Sequence, residues 1–150
     1  MSEENYIEDS EYINIFKKVP IVCVDIIIQD LSEKFVLVKR NNEPLKDEYW
    51  VPGGRVFKSE KVIDACSRKS LEELGLEVDS SEWSFVGYYE ADFIKNAFEA
   101  DTHYHVICLT FICNRLIDSS KINLDSQSSD YILVSELPED FTSQFPFRRF

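Results

Sequence analysis

From Gly54 the chain runs five residues to Glu60, seven more to Arg68, and then reads Leu71-Glu72-Glu73-Leu74-Gly75-Leu76. The segment leading into it, Pro52-Gly53-Gly54-Arg55, reads as a turn of residues that admit unusual backbone angles and the close approach of a ligand. Val62, Ile63, Cys66 and Leu74 lie broadly on one face at helical spacing. Ser59 stands where it can cap that helix, and Gly75 stands where a C-terminal glycine ends one. Arg68 and Glu72 are four apart, as are Lys69 and Glu73, so each pair is adjacent on the helix surface. A glycine turn feeding an amphipathic helix with clustered acids predicts a site at their meeting point.

The flanking sequence supplies strands. Ser10 can cap a helical segment containing Tyr12, Ile13, Ile15, Phe16 and Val19, which Pro20 ends. Residues 21–28 form a β-branched run, 29–34 read as a turn and 35–39 as a second run, which predicts a β-hairpin. Strand-like runs return at 83–89, 104–113 and 131–134. This order predicts an α/β (α+β) architecture over residues 1–150 as one domain, a mixed sheet with helices packed on it. Hydrophobic residues at 44% are too abundant for a disordered chain.

Charge narrows the function. Sixteen basic against 28 acidic side chains give a net charge of −12, which repels a nucleic-acid backbone. An acidic protein still binds a phosphorylated small molecule when a divalent cation stands between its carboxylates and the phosphates. No apolar run is long enough to span a bilayer and no signal peptide is evident, so a cytoplasmic, membrane-free protein is expected. Cys23, Cys66, Cys108 and Cys113 lie in apolar runs with no zinc-knuckle spacing and read as buried reduced thiols. Asp25 interrupts a buried strand, where a carboxylate is costly unless it is paired or binds something, so it faces either solvent or a site.

The run beginning at Gly54 resembles the Nudix box: glycine, five residues, glutamate, seven residues, arginine, glutamate, an apolar residue, any residue, two glutamates, any residue, glycine, apolar residue. Gly54, Glu60, Arg68, Glu72, Glu73, Gly75 and Leu76 fit it; Lys69 and Ser70 depart. An arbitrary glutamate pair is usually a solvated helix charge. Here seven spaced positions agree. The resemblance implies the Nudix fold, a mixed sheet sandwiched between helices (α/β/α), with Gly54, Glu60, Arg68 and Gly75 holding its box together. It also implies Mg2+, with Mn2+ as an alternative. Family members that bind several metals use a glutamate where Lys69 stands, so a single essential ion per subunit is expected.

Beyond the box, from about Pro20 to Tyr131, the chain is similar to the GDP-mannose mannosyl hydrolase branch. Val24-Asp25, Val38-Lys39-Arg40-Asn41, Tyr49-Trp50, Pro52-Gly53-Gly54-Arg55-Val56, Thr102-His103-Tyr104, Gln127 and Asp130-Tyr131 carry the likeness. It implies that water attacks the anomeric carbon of a nucleotide-sugar such as GDP-mannose or GDP-glucose, releasing GDP and the sugar. By position, Gly53 through its carbonyl, Glu73 and Gln127 would hold the metal, with Glu72 as a further ligand from the wider family pattern. Arg40, Arg55 and Tyr104 would contact the diphosphate as substrate-binding and catalytic groups. Asp25 would bind the sugar or stabilise its charge. A homodimer is expected by analogy.

After Gln127 the branch has a histidine acting as general base, and this chain has Ser128. Asp130, His103 or His105 could replace it; the two histidines, alternate residues of a strand, share a face. A Nudix pyrophosphatase attacking phosphorus and a catalytically silent nucleotide-sugar or protein-binding domain are the rival readings. Lys69 weighs against the first, and the retained Glu60, Arg68, Glu72, Glu73 and Gln127 weigh against the second.

Overall fold

A computed structural model describes residues 5–126 and 128–146. Its elements run α1 (Asp9–Phe16), β1 (Ile21–Ile27), β2 (Phe35–Arg40), β3 (Tyr49–Trp50), β4 (Gly53–Arg55), α2 (Val62–Leu74), β5 (Trp83–Phe93), β6 (Tyr104–Cys113), β7 (Ser128–Val134) and α3 (Glu139–Thr142). Two sheets result. The first is mixed, in the order β4-β1-β6-β5, with β1 parallel to β6; the second is β3-β2-β7.

The expected hairpin of β1 and β2 is therefore corrected, because the two strands belong to different sheets. Their backbones join at the turn, where the Val36 N–H donates to the Ile28 carbonyl and Gln29 bridges Phe35. Asp30 organises that turn by accepting from the N–H groups of Ser32 and Lys34. β1 is too apolar on both faces for a two-stranded ribbon. Val24, Ile26 and Ile28 enter a core shared with Ala65, Cys66 and Leu74, while Cys23 and Ile27 enter a second core with Leu37, Trp50, Tyr89 and Phe141. This two-sided burial gives β1 a central place and directs Asp25, by the period of two, into the second core.

Both helix caps read from the sequence are also corrected. Glu8 rather than Ser10 precedes α1, and Lys61 rather than Ser59 precedes α2, neither with a side-chain cap bond. Ser59 has a left-handed backbone, φ 65°, unsuited to a cap, and lies inside a tight turn whose Glu60 N–H bonds to the Phe57 carbonyl. Helix α1 stops at Phe16, and Val19 lies beyond it, exposed. Gly75 does end α2: it is left-handed, its N–H donates to Leu71, and the Leu76 N–H donates to the Ser70 carbonyl. In the C-terminal aromatic segment, Phe141 and Phe145 are buried against Tyr89, with Phe141 also edge-on to Trp50. No helix among the described residues is long and apolar enough to cross a membrane.

Candidate active site

The segment 52–55 is not a free turn but leads into a strand. β4 pairs antiparallel with β1, in the register Asp25 to Gly53 and Val24 to Gly54. Neither glycine is left-handed. What Gly53 meets is crowding, because a Cβ there would lie 2.3 Å from Asp25 Oδ1 and 2.4 Å from the Val24 carbonyl.

Behind this strand, Arg68 locks the start of α2 to β4. Its guanidinium donates to Glu60 Oε2 at 2.7 Å and to the Arg55 carbonyl at 2.8 Å, and it lies 3.7 Å from the Phe57 ring centre. Glu60 also accepts from the Phe57 N–H. Desolvation pushes the Glu60 carboxyl up, but the Arg68 and Phe57 hydrogen bonds outweigh it and hold it below its ordinary value. Glu60 and Arg68 thus brace β4 from outside the cavity, and Gly75, also outside it, ends α2.

In front of β4 opens a cavity of about 550 Å3, a size suited to a small-molecule ligand. Asp25, Arg40, Gly53, Gly54, Arg55, Glu72, Glu73, Tyr104 and Ser128 all line it. Gln127 lies outside the described residues. Glu73 is only 4% exposed and accepts from the Gly53 N–H at 2.8 Å. Desolvation raises its carboxyl, the Lys69 charge and the Gly53 bond oppose this, and Asp125 raises it further. Lys69 Nζ stands 3.4 Å from Glu72 and 3.8 Å from Glu73. Glu72 is the more exposed of the two acids and also pairs with Arg68 at 3.0 Å.

Asp25 faces this cavity and not solvent. Its carboxylate accepts from the Tyr89 hydroxyl and is 6% exposed. Desolvation pushes its pKa up to about 7 against the lowering effects of the Tyr89 bond and the Arg40 charge. Arg40 itself is anchored by its Nε, which donates to the Pro44 carbonyl at 2.8 Å. Arg55 donates to the Asn5 carbonyl and lies over the rings of Phe57 and Tyr12. Tyr104 shares a 2.8 Å hydrogen bond with Tyr12, hydroxyl to hydroxyl.

The three residues that could have replaced the family histidine point elsewhere. His105 alternates with Tyr104 and Val106 on β6, so its ring faces the other side of the sheet, 4.0 Å from Glu90. His103 sits exposed against Asp92, and Asp130 accepts from Tyr49 at the surface. None of the three lines the cavity, whereas Ser128 does. The sequence reading missed Asp125, Trp50, Tyr89, Cys23 and Cys108. Each lines the cavity because distant strands, and for Asp125 the connection into β7, meet there. Only the strand alternation of Cys23 with Asp25 could have flagged one of them. All four cysteines are buried thiols, as expected.

The donor set fits a hard divalent cation. A buried carboxylate that burial strains toward protonation, with Glu72 and Asp125 on the same cavity, is the environment such an ion would relieve. Among the described residues no three acid, histidine or cysteine side chains converge closely enough to form a metal cluster by themselves. Backbone oxygen and ligand oxygen would have to complete the shell.

The NUDIX domain family model matches residues 19–145. The chain is 36% identical over 124 residues to the low-salt glycan biosynthesis protein Agl8 of Haloferax volcanii, covering 82% of this chain and 76% of that protein. It is 32% identical over 120 residues to the ADP-ribose pyrophosphatase of Methanocaldococcus jannaschii, covering 80% of this chain and 66% of the relative. The crystal structure of a MutT protein from Methanosarcina mazei superimposes with a TM-score of 0.61 at 22% identity, over 77% of this chain and 78% of that one, which shows a common fold.

Proposed function

Since the chain belongs to the NUDIX domain family, we propose that this Nudix hydrolase acts on a nucleoside diphosphate joined to a sugar, a GDP-hexose such as GDP-mannose or GDP-glucose, releasing GDP and the free sugar. The observation that carries the reading is Lys69, whose ammonium stands between Glu72 and Glu73 on the cavity wall. A fixed cation there supports one divalent ion rather than several, and leaves the rest of the charge work to side chains. The glycan-biosynthesis name of the Haloferax relative agrees with a sugar substrate.

Glu73, the Gly53 carbonyl and Gln127 would hold one Mg2+ or Mn2+, with Glu72 and Asp125 beside them. The chemistry supplied there by a bound ion is neutralisation of the diphosphate leaving group. Arg40, Arg55 and Tyr104 donate to the same oxygens, and they count most where charge grows as the glycosidic C–O bond breaks. The bonding pair passes to the β-phosphate oxygen while the water oxygen bonds to the anomeric carbon. Asp25, ionised, faces the positive charge developing on the sugar. His103, His105 and Asp130 do not line the cavity, and of the four carboxylates that do, Asp25, Glu72, Glu73 and Asp125, we assign the water proton to Asp25, which the proposed metal does not engage. General-base assistance of this kind contributes about 10²–10⁴-fold.

Attack at phosphorus is the second reading, favoured by the likeness to an ADP-ribose pyrophosphatase. Incubation with GDP-mannose, GDP-glucose and ADP-ribose in H2¹⁸O, with and without Mg2+, separates the two. Label in the sugar together with GDP supports the proposal. GMP or AMP replaces it with the pyrophosphatase, and no Mg2+-dependent turnover of any of them overturns both.

A further inference from the structure

Tyr12 lies on α1 and does not line the cavity, yet it touches two groups that do. Its hydroxyl is 2.8 Å from that of Tyr104, and its ring lies 5.6 Å from the Arg55 guanidinium carbon, with Phe57 on the same guanidinium at 4.9 Å. The ring is itself fixed, edge-on to Phe16 at 5.5 Å and to Phe98 at 5.4 Å. Phe98 is carried by the 94–103 loop, which Asn96 ties through bonds to the backbone of Phe98, Ala100 and Thr102.

Two phenols at this distance share one proton between their oxygens: one donates and the other accepts. Burial raises both tyrosines above their ordinary pKa, so each keeps its proton at neutral pH. When Tyr12 donates, the Tyr104 O–H is released to donate to an oxygen in the cavity. We infer that Tyr12 is a positioning residue, which orients the Tyr104 hydroxyl through its own hydroxyl and supports the Arg55 guanidinium through its ring, so that α1 completes the diphosphate-binding wall. The inference rests on the proposed reading that Tyr104 and Arg55 contact the diphosphate.

Tyr12→Phe removes the hydroxyl and keeps the ring; Tyr12→Leu removes both. A cycle of Tyr12→Phe, Tyr104→Phe and the double variant is measured on GDP release from GDP-mannose and on calorimetric binding of magnesium pyrophosphate. Tyr12→Phe is expected to lower kcat about fivefold, the equivalent of one oriented hydrogen bond, with KM little changed. The double variant should be no slower than Tyr104→Phe, because the two hydroxyls act as one unit. Tyr12→Leu should in addition weaken pyrophosphate binding and raise KM through Arg55. A wild-type kcat in Tyr12→Phe, or losses that multiply in the double variant, overturns the inference while leaving GDP release intact. If the wild type binds magnesium pyrophosphate but releases no GDP, the proposed function fails and the same cycle on affinity decides the inference. A wild type that neither binds magnesium pyrophosphate nor releases GDP overturns both.

Discussion

Lys69 Nζ stands 3.8 Å from Oε1 of Glu73, on the face of α2 that looks into the cavity. The family pattern has a glutamate in this position, and here an ammonium stands beside both Glu72 and Glu73. Lys69→Glu should remove that charge and add two oxygen donors. Electron paramagnetic resonance with Mn2+ is expected to count about one ion per chain in the wild type and about two in the variant. A count that stays at the wild-type level would remove the electrostatic account of Lys69.

Glu60 and Arg68 are 15% and 19% exposed, so their pair is poorly screened by water. Glu60→Gln leaves the Arg68 charge without its main partner and should cost roughly 2–4 kcal/mol in urea unfolding at pH 7. The Glu60 carboxyl is held below its ordinary value in the fold. Its stabilisation is therefore fully present above the unfolded pKa and disappears as pH falls through the folded one. The deficit of Glu60→Gln should shrink on acidification toward pH 3; an equal deficit at pH 7 and pH 3 would contradict the charge-pair origin.

The box was legible because its spacing is local: Glu60, Arg68, Glu72 and Gly75 sit on one turn and one helix whose period the sequence displays. Five of the seven strands were legible as strands, the short β3 and β4 were not, and no pairing was legible. β1 pairs with residues 53–55 and 106–112, and nothing near residue 25 announces either, so a false hairpin with β2 was the simpler reading. The same gap explains the histidines. Alternation puts His103 and His105 together, but only the packing of β6 shows that Tyr104, Val106 and Cys108 take the cavity side. Asp125 and Tyr89 were invisible for the same reason, since each reaches the site through long-range topology rather than local pattern.

Asp25 should add a pH dependence of its own to the stability of metal-free protein. Its folded pKa of about 7 lies above the ordinary 3.8, with desolvation as the main cause. Its contribution is therefore fully present below about pH 4 and is lost as pH rises through about 7. Asp25→Asn stays neutral and can still accept from Tyr89. Between pH 5.5 and 8.5 the wild type should lose about 2 kcal/mol relative to this variant, measured by urea unfolding in chelator. Mg2+ should restore part of that loss to the wild type at pH 8.5, while the variant loses turnover. Parallel pH curves for the two proteins would show that Asp25 does not titrate in this range.

Gly53 and Gly54 are neighbours with opposite tolerances. An alanine Cβ at Gly53 meets the Val24 carbonyl at 2.4 Å and Asp25 Oδ1 at 2.3 Å. The carbonyl belongs to a central strand whose register with β4 leaves it no room to withdraw. At Gly54 the added atom meets Lys69 Cε at 2.7 Å and Nζ at 3.0 Å, the far end of a flexible side chain that can swing aside. Gly53→Ala should therefore cost several kcal/mol, on the order of 3, by forcing β4 off β1. Gly54→Ala should stay within about 1 kcal/mol of the wild type in urea unfolding, because rotamer change replaces backbone movement. Displacing the Lys69 ammonium should nonetheless alter Mn2+ affinity in Gly54→Ala without unfolding it. Equal destabilisation of the two variants would mean that β4 yields as a unit and that its close approach to Asp25 does not hold the site in place.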